Sequence, residues 1–448
     1  VLKNNKGSED NRVRKLDYSI QITKLFYERF IKNEDITLFS PNNVPGLYEA
    51  FGMPEFDEMY KKYEADNSIP RTTISAQELF MDMLKERAET GRIYIMNIDH
   101  CNSHSSFKDK VYMSNLCQEI TLPTTPIQHI DDKEGEIALC ILSAINLGLI
   151  TDVDELEELC DLSVRALDEI IDYQEYPVEA AKISTQARRS LGIGYIGLAH
   201  YLAKNQVNYE HKSAVKLVDK VTEAFQFYLL KASNNLAKEK SKCLWFEKTK
   251  YSDGILPIDT YKKELDDIVS RKYTYDWEWL RKEIKEHGLR HSTLSAQMPS
   301  ESSSVVSNAT NGVEPPRDYL SIKKSKKGPL KQIVPDYNRL KNFYTLLWDM
   351  KGNEGYINII SVMQKYFDQA ISGNWSYNPE NYKDGEVPLS TMAQDLLTTY
   401  KLGWKTAYYQ NTYDAKTEIE EPVHPIGWHD GVEEKKEDDE ENCEACTI

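Results

Sequence analysis

The stretch "SAQELFMDMLKERAETGRIYIMNI", residues 75–98, decides the fold class because it places a helix directly before a buried strand. Ser75 and Glu78 form the S-x-x-E pattern, in which each side chain satisfies a free backbone amide of the first helical turn. Gly91 predicts the end of the helix, since glycine readily adopts the left-handed conformation that follows a last turn. The apolar run "RIYIMNI" then predicts a strand that is covered on both faces.

The same alternation of helix and strand extends along the chain. Upstream, apolar residues at helical spacing predict a helix over residues 11–31, followed by a strand at "ITLFS". Downstream, helices are predicted over about residues 152–173 and after Ser213. Further strands are predicted at "QEITLPT", "IALCILSAI", "STLSAQMPS" and "KTAYYQN". This pattern predicts an α/β fold with a largely parallel sheet, either open or closed into a barrel.

The composition excludes several classes of protein. The formal charge of −17 argues against a nucleic-acid backbone as partner, because such proteins need a basic surface. The longest apolar run, "IALCILSAINLGLI", is too short to span a bilayer, and the start of the sequence has no export signal, so we expect a cytoplasmic protein. An odd number of cysteines, seven, argues against a static disulfide framework and favours catalytic, redox or metal-bound thiols.

The stretch "SNLCQEITLPT", residues 114–124, concentrates polar chemistry in a segment predicted to be extended. In an extended chain Asn115, Cys117 and Glu119 point to the same side, which places amide, thiol and carboxylate on one face. Cys140 lies on a neighbouring segment and could face the same pocket. The simpler alternative is that both cysteines are small core residues. A glutamate beside a core thiol would be costly to bury, which favours a functional site.

Three further motifs each allow two interpretations. Cys443 and Cys446 form a C-x-x-C that could be half of a zinc site, but its place in an acidic tail favours a mobile dithiol that exchanges with another site. The serine-rich turn at 300–304 could cap a helix or bind a phosphate. Tyr408 and Tyr409 could be ordinary packing, whereas a redox role predicts a strand end or local twist between them, because neighbours on a strand face opposite ways.

Two motifs are set aside. "GIGYIG", with Gly192, Gly194 and Gly197, matches the dinucleotide-binding pattern but follows a polar segment instead of a buried strand. "DHCNSH", which contains His100 and His104, could ligate a metal, yet a hydrogen-bonded turn after a strand is the favoured interpretation.

Taken together, these motifs resemble the large, catalytic (alpha) subunit of class I ribonucleotide reductase, along essentially the whole chain. The resemblance is carried by "NRVRKLDY", "DITLFSP", "VPGLYEAF", "TGRIYIMNIDHCN", "SNLCQEI", "GEIALCILSAINLG", "RRSLGIGYIGLA", "MPSESSSVVSNATNGVEPPR", "KTAYYQNT" and "CEAC". The resemblance implies an incomplete ten-stranded α/β barrel with a central finger loop, a small α/β appendage and a flexible C-terminal tail. The implied divisions are residues 1–318 for the barrel, 319–400 for the appendage, 401–412 for the final strand with the tyrosine pair, and 413–448 for the redox-active tail.

The resemblance also implies roles for individual residues. Cys117, at the tip of the finger loop, would become a thiyl radical that removes the 3′ hydrogen of the ribose. Glu119 would be the base at the 3′ hydroxyl, Asn115 would hold the substrate hydroxyls, and Cys140 would be one of two reducing thiols. Tyr408 and Tyr409 would relay the radical, and the tail dithiol, Cys443 and Cys446, would re-reduce the site. The implied substrate-binding residues are Leu142, Pro299, Ser300, Glu301, Ser302, Ser303 and Ser304. No metal ligand and no bound cofactor is expected in this chain.

The resemblance implies partners as well. The radical would come from a dimetal small subunit, and the reducing equivalents from thioredoxin or glutaredoxin. The sequence begins with Val1, and the family's second active-site cysteine has no counterpart in it, so we expect a C-terminal part of a split or truncated subunit that needs an N-terminal partner. The alternative from another class is a non-catalytic, thiol-bearing scaffold subunit of a nucleotide-metabolism complex.

Overall fold

A computed structural model describes residues 17–325 and 328–414 of the chain, and these form a mixed α/β structure. The strands are β1 (Tyr18–Ile22), β2 (Asp35–Phe39), β3 (Arg71–Ser75), β4 (Ile93–Asn97), β5 (Ile141–Asn146), β6 (Leu191–Ile196), β7 (Leu320–Ser325), β8 (Gly328–Ile333), β9 (Trp375–Tyr377), β10 (Thr406–Ala407) and β11 (Gln410–Thr412). The helices are α1 (Lys24–Lys32), α2 (Leu47–Ala50), α3 (Phe56–Ala65), α4 (Ala76–Thr90), α5 (Ile98–Ser103), α6 (Glu155–Tyr173), α7 (Glu179–Arg188), α8 (Leu198–Lys204), α9 (Lys212–Lys240), α10 (Pro257–Thr260), α11 (Trp277–His287), α12 (Glu301–Val306), α13 (Tyr337–Leu340), α14 (Glu354–Gln364) and α15 (Leu389–Lys401).

The unit of α4 and β4 forms as its sequence predicts. The Ser75 hydroxyl accepts a hydrogen bond from the Glu78 amide at 3.3 Å, and Gly91 closes α4 in the left-handed region with φ 71°. Helix α4 buries Phe80 and Leu84, and every residue of β4 is buried. Strand β4 pairs in parallel with β1 and antiparallel with β10, so it is the central strand of a three-stranded sheet.

The prediction of one helix over residues 11–31 is wrong within its described part. That part divides into strand β1 and helix α1, because Ile20 and Ile22 lie beside β4 instead of continuing the helical face. An apolar residue every second position fits a strand as well as it fits part of a helical stripe. The predicted strand "ITLFS" is confirmed as β2, which pairs antiparallel with β3.

A second, parallel pair of strands, β5 and β6, lies on the core that α6 and α9 cover. The predicted strand "STLSAQMPS" is mostly irregular, but Ser295 forms a parallel bridge to Ile193 of β6 and Gln297 forms one to Ile371. The segments next to β6 therefore run parallel, as the alternating pattern predicts. The described strands fall into one three-stranded and four two-stranded sheets without closing a barrel, so the count of ten strands stays a prediction.

The predicted strand "QEITLPT" is wrong. Residues 118–124 contain no strand, and an isolated antiparallel bridge between Thr125 and Glu136 begins only after them. The buried apolar residues of this stretch belong to a loop, and a short apolar run does not by itself separate a strand from a buried loop.

The predicted appendage begins with the antiparallel hairpin of β7 and β8, and it continues with helices α13 to α15. Helix α14 packs against α9, and its side chains Ile357, Ile360 and Met363 belong to the same hydrophobic core as α9. The division of the chain at residues 318 and 400 stays a prediction. In the described part of the chain, no helix combines the length and the apolar character that a bilayer crossing needs.

Candidate active site

The loop that carries Cys117 is a tight turn, so the expectation of an extended segment is wrong. The Asn115 carbonyl accepts from the Gln118 amide at 3.2 Å, and the Asn115 amide donates to the Ile120 carbonyl at 3.2 Å. The Asn115 side-chain oxygen also accepts from the Ile120 amide at 3.1 Å. Gln118 adopts φ 67°, a left-handed conformation that is uncommon for a residue with a side chain. The turn, not strand alternation, brings Asn115 and Glu119 together.

Cys117 is buried beside aromatic rings instead of aliphatic side chains. Its side chain is in one cluster with Tyr94, Tyr408 and Tyr409, and only 2% of the residue is exposed. The Tyr408 hydroxyl donates to the Cys117 sulfur at 3.4 Å. Burial raises the pKa of the Tyr408 hydroxyl well above its usual range, so the ring carries its proton at neutral pH.

The tyrosine pair lies where the chain passes from one sheet to another, as the redox interpretation predicts. Strand β10 ends at Ala407 and β11 begins at Gln410, which leaves Tyr408 and Tyr409 between them. Their ring centroids are 4.3 Å apart, so the break in the strand allows both rings to meet. Tyr94 on β4 lies 4.7 Å from the Tyr408 ring and 5.2 Å from the Tyr409 ring. Tyr94 was not among the predicted site residues, although it lies in the predicted buried strand, where its hydroxyl needs a hydrogen-bond partner.

Glu119 is buried, with 2% of the residue exposed, two positions after Cys117. Burial raises the pKa of its carboxyl, while hydrogen bonds from Asn115 and Ser372 oppose that rise. The Glu119 Oε2 atom lies 3.0 Å from the Ser372 hydroxyl oxygen. A carboxylate whose pKa is raised by burial is better suited to accept a proton during a reaction than an ordinary surface carboxylate.

Cys140 lies immediately before β5 and faces the same region. Its sulfur accepts from the Gln369 side-chain amide at 3.6 Å. Burial raises the pKa of the Cys140 thiol, the Gln369 bond lowers it, and the nearby Glu119 carboxylate raises it. Gln369 contacts the Cys140 sulfur and the next residue, Ala370, donates to the Glu119 carbonyl, so the thiol and the acid-bearing segment lie close together. A shared catalytic role stays a prediction. A side chain at Gly192 on β6 would lie 2.9 Å from the Cys140 sulfur, so glycine makes room for the thiol there.

A loop over residues 368–374, "DQAISGN", joins these groups, and none of its residues is among the predicted site residues. Its Gln369 reaches Cys140, its Ala370 amide donates to the Glu119 carbonyl at 2.9 Å, and its Ser372 contacts Glu119. The Gly373 carbonyl accepts from the Tyr408 amide at 3.0 Å, and the Asn374 side chain accepts from the Tyr409 amide at 2.9 Å. One short loop therefore holds both thiol-bearing segments, the acid and the tyrosine pair.

Buried Lys405 stabilises this loop through hydrogen bonds to its backbone. Its ammonium group donates to the Asp368 and Gln369 carbonyls at 2.9 and 2.8 Å. Burial lowers the pKa of Lys405 to about 7. No pattern in the sequence distinguishes these residues from ordinary core polar groups, because their function depends on contacts between distant segments.

The serine-rich turn lies next to β6. Gln297 donates to the Tyr195 carbonyl of β6 at 2.9 Å and precedes the turn. The Ser300 hydroxyl donates to the Met298 carbonyl at 3.1 Å and does not cap α12, so the prediction of a side-chain cap is wrong. Leu142, on the adjoining β5, is partly exposed and pairs with Gly192, the glycine beneath Cys140. The turn and Cys140 therefore both adjoin β6. The binding roles predicted for the turn stay predictions, at Pro299, Ser300, Glu301, Ser302, Ser303 and Ser304.

The two motifs that were set aside have structural explanations. Gly192 and Gly194 lie inside buried strand β6, whereas a dinucleotide fingerprint needs its glycines in the loop after a strand. His100 stacks on Tyr400 with centroids 4.3 Å apart, and His104 bonds the Gln364 carbonyl at 2.7 Å. The predicted hydrogen-bonded turn is the short helix α5. Cys443 and Cys446, the predicted redox tail, lie outside the described residues.

Replacing Gln369 with leucine should slow alkylation of Cys140 by roughly tenfold at a fixed pH, since a hydrogen bond to a charged sulfur is lost. Rates of iodoacetamide labelling at Cys140, followed by peptide mass spectrometry over a pH series, would measure this. Gln410→Leu is the matched control, because Gln410 is also a buried glutamine whose side-chain amide donates to a sulfur atom, that of Met392, at 3.7 Å. Equal labelling rates in the two variants would contradict a specific amide–sulfur contact.

Glu314 should make stability depend on pH near neutrality. Burial raises the pKa of this carboxyl to about 7, against the charge of Arg317 and hydrogen bonds from Asn374. A carboxyl whose folded-state pKa lies above its unfolded value stabilises the fold below about pH 4, and that contribution is lost as the pH rises through about 7. Between about pH 5.5 and about pH 8, Glu314→Gln should therefore gain roughly 1–2 kcal/mol relative to wild type. Urea unfolding at both pH values measures the difference, and exposed Glu380→Gln, the control, should show none.

Comparison with known proteins gives a consistent family assignment. A family model described as "Ribonucleotide reductase, barrel domain" matches residues 1–410. The chain is 58% identical over 428 residues to the ribonucleoside-diphosphate reductase subunit alpha of Haemophilus influenzae, covering 94% of this chain and 57% of that protein. It is 57% identical over 438 residues to the ribonucleoside-diphosphate reductase 1 subunit alpha of Escherichia coli, covering 97% of this chain and 58% of that protein.

A more distant relative, the corresponding subunit of Enterobacteria phage T4, is 43% identical over 436 residues, covering 94% of this chain and 57% of that protein. The chain thus spans a little more than half the length of the relatives it matches. The family match extends over the turn that carries Cys117, the parallel strands and the tyrosine pair described above. The chain belongs to the ribonucleotide reductase barrel-domain family.

Proposed function

We propose that this chain forms the catalytic region of a ribonucleoside-diphosphate reductase alpha subunit, which reduces ribonucleotides to deoxyribonucleotides. One observation carries the proposal: the Tyr408 hydroxyl contacts the Cys117 sulfur at 3.4 Å, and the buried acid Glu119 lies two residues further on. A redox-active ring, a thiol and a base thus lie on one short path. The names of the relatives support the same activity, since each is a ribonucleoside-diphosphate reductase subunit alpha.

In the proposed reaction, Tyr409 and Tyr408 pass a radical to Cys117, whose sulfur then takes the hydrogen atom from C3′ of the ribose. Glu119 accepts the proton of the 3′ hydroxyl while Asn115 holds the substrate hydroxyls. The 2′ oxygen leaves as water. Cys140 and a second thiol supply two electrons and become a disulfide; one of their hydrogens leaves as the proton of the water and the other is added to C2′. Glu119 then returns its proton to the 3′ oxygen, and the hydrogen on Cys117 returns to C3′. The substrate phosphates bind at the turn over residues 300–304.

The proposed partners follow from this chemistry. A small subunit with a dimetal centre generates the radical. The radical returns to that subunit after each turnover. Thioredoxin or glutaredoxin supplies the two electrons through Cys443 and Cys446, which would exchange with the active-site disulfide.

The test is nucleotide reduction by a complete alpha subunit that contains this region, mixed with its small subunit and a thioredoxin system. We expect deoxyribonucleoside diphosphate as the product, and slower turnover with a substrate that carries deuterium at C3′. Absence of product from all four common ribonucleoside diphosphates would contradict the proposed activity. The scaffold alternative instead predicts that the activity of the complex does not depend on Cys117.

A further inference from the structure

The loop over residues 368–374 contains a hydroxyl with two acceptors and only one proton. The Ser372 hydroxyl contacts the Cys117 carbonyl through a short hydrogen bond, and its oxygen lies 3.0 Å from Glu119 Oε2. Ser372 is buried, with 5% of the residue exposed. A serine hydroxyl donates one hydrogen bond at a time and accepts others. Both contacts are therefore satisfied together only when Glu119 is protonated and donates to Ser372.

When Glu119 is ionised, the arrangement must change. A carboxylate accepts hydrogen bonds and cannot donate, so the Ser372 proton turns toward Glu119 Oε2. The bond to a charged acceptor is the stronger of the two. The Cys117 carbonyl then loses this donor. The direction of the Ser372 hydroxyl thus follows the charge of Glu119.

We propose that Ser372 is a positioning residue that couples the protonation state of Glu119 to the peptide carbonyl of Cys117. The inference rests on the proposed function, in which Glu119 gains a proton while Cys117 reacts. When Glu119 takes up that proton, the Ser372 hydroxyl becomes free to donate to the Cys117 carbonyl. The resulting hydrogen bond holds the loop at Cys117 in place at that stage of the reaction. Loss of the proton reverses the change.

Backbone hydrogen bonds hold Ser372 in place. The Ser372 amide donates to the Gln297 carbonyl at 2.9 Å, and Gln297 is itself hydrogen-bonded to β6. Cys140 is the titratable side chain that faces Glu119 from the β5 side, and Asp368, on the same loop as Ser372, also acts on Cys140. Cys117 is the other titratable group beside Ser372. A pH series must therefore distinguish the titration of the Glu119 carboxyl from the titration of the Cys117 and Cys140 thiols.

The first test follows the carboxyl directly, without turnover. The infrared carbonyl band of protonated Glu119, assigned by its loss in Glu119→Gln, would be titrated in a complete alpha subunit. In Ser372→Ala the midpoint should move about one pH unit higher, because the ionised carboxylate loses a donor. Ser372→Thr, which keeps the hydroxyl, should restore it. An unchanged midpoint in Ser372→Ala would overturn the inference.

Ser361→Ala is the matched control. Ser361 is also a buried serine with two partners, since it donates to the Ile357 carbonyl at 2.6 Å and accepts from Trp404 at 2.8 Å. It lies on α14, away from Glu119, so its loss should leave the midpoint in place. A shift of equal size in Ser361→Ala would assign the effect to general loosening of the core and would also overturn the inference.

The second test follows the Cys117 carbonyl. In protein labelled with carbonyl-13C cysteine, the amide band lost in Cys117→Ala should shift across the Glu119 titration in wild type. In Ser372→Ala that shift should disappear, and its persistence would contradict the coupling.

Activity distinguishes the two proposals. We expect the acid limb of kcat/KM to move about one pH unit higher in Ser372→Ala. Failure of the wild-type complex to reduce nucleotides would contradict the proposed function, while both spectroscopic tests would still decide the role of Ser372. Normal wild-type turnover with no shift of the acid limb would count against Ser372 alone.

Discussion

Replacing Cys117 with serine should abolish nucleotide reduction, with turnover falling on the order of 10⁴-fold or more, as when a residue that forms the reacting centre is removed. An oxygen atom is smaller than a sulfur atom, and the O–H bond of serine is much stronger than the S–H bond of cysteine. The serine side chain therefore does not form a radical in place of the thiyl radical. The fold should be retained, because the loop is fixed by backbone contacts from Asn115 and by Ser372. The measurement is deoxynucleotide formation by the complete complex, together with thermal unfolding of the variant.

Cys160→Ser is the matched control for Cys117. Cys160 is likewise buried and donates through sulfur to a backbone carbonyl, that of Phe225, at 3.8 Å. It lies on α6 and has no part in the site described above. This variant should keep wild-type turnover. Full activity of Cys117→Ser would instead remove the thiol from the mechanism and favour the scaffold alternative.

Replacing Tyr408 with phenylalanine should lower turnover by about 10³-fold or more, since an interaction used only in the reaction is removed. The change deletes the hydroxyl that donates to Cys117 and leaves the ring in place against Tyr94 and Tyr409. Phenylalanine lacks the ionisable O–H bond that a tyrosyl radical requires. Turnover of the complex and binding of substrate would be measured separately, and substrate affinity should change little.

Tyr377→Phe provides the control for Tyr408. Tyr377 is a buried tyrosine of β9, and its hydroxyl donates to Asp395 at 2.9 Å. Its loss removes one buried hydrogen bond without touching the thiol. If Tyr377→Phe and Tyr408→Phe reduced turnover equally, the effect would come from packing, and a radical relay through Tyr408 would be contradicted.

Local patterns predicted the elements whose structure depends on neighbours in sequence. The capped helix α4 and the buried strand β4 both follow from residue types within a few positions. The division of residues 17–31 into β1 and α1 could not be predicted in the same way, because pairing with β4 determines it. Long-range pairing overrides a local periodicity.

In the candidate site too, some features could be predicted from local sequence and others depend on long-range contacts. Asn115, Cys117, Glu119 and Cys140 carry unusual chemistry for their setting, so the sequence marks them. The turn that joins the first three residues depends on the left-handed backbone conformation at Gln118. That conformation could not be predicted, because glutamine rarely adopts it. Gln369 and Ser372 are ordinary polar residues, and only the approach of segments more than 200 positions apart gives them a role.

The passage of the chain between sheets at the tyrosine pair has a mechanical consequence. Tyr408 follows a strand anchored on β4, and Tyr409 precedes a strand anchored on β9, so each ring is fastened to a different framework. Trp404 and Trp375, 5.8 Å apart between ring centroids, brace the two frameworks against sliding. In the proposed relay, electronic coupling would weaken steeply with separation, so a contact that keeps the two frameworks together would also help to keep the two rings in contact.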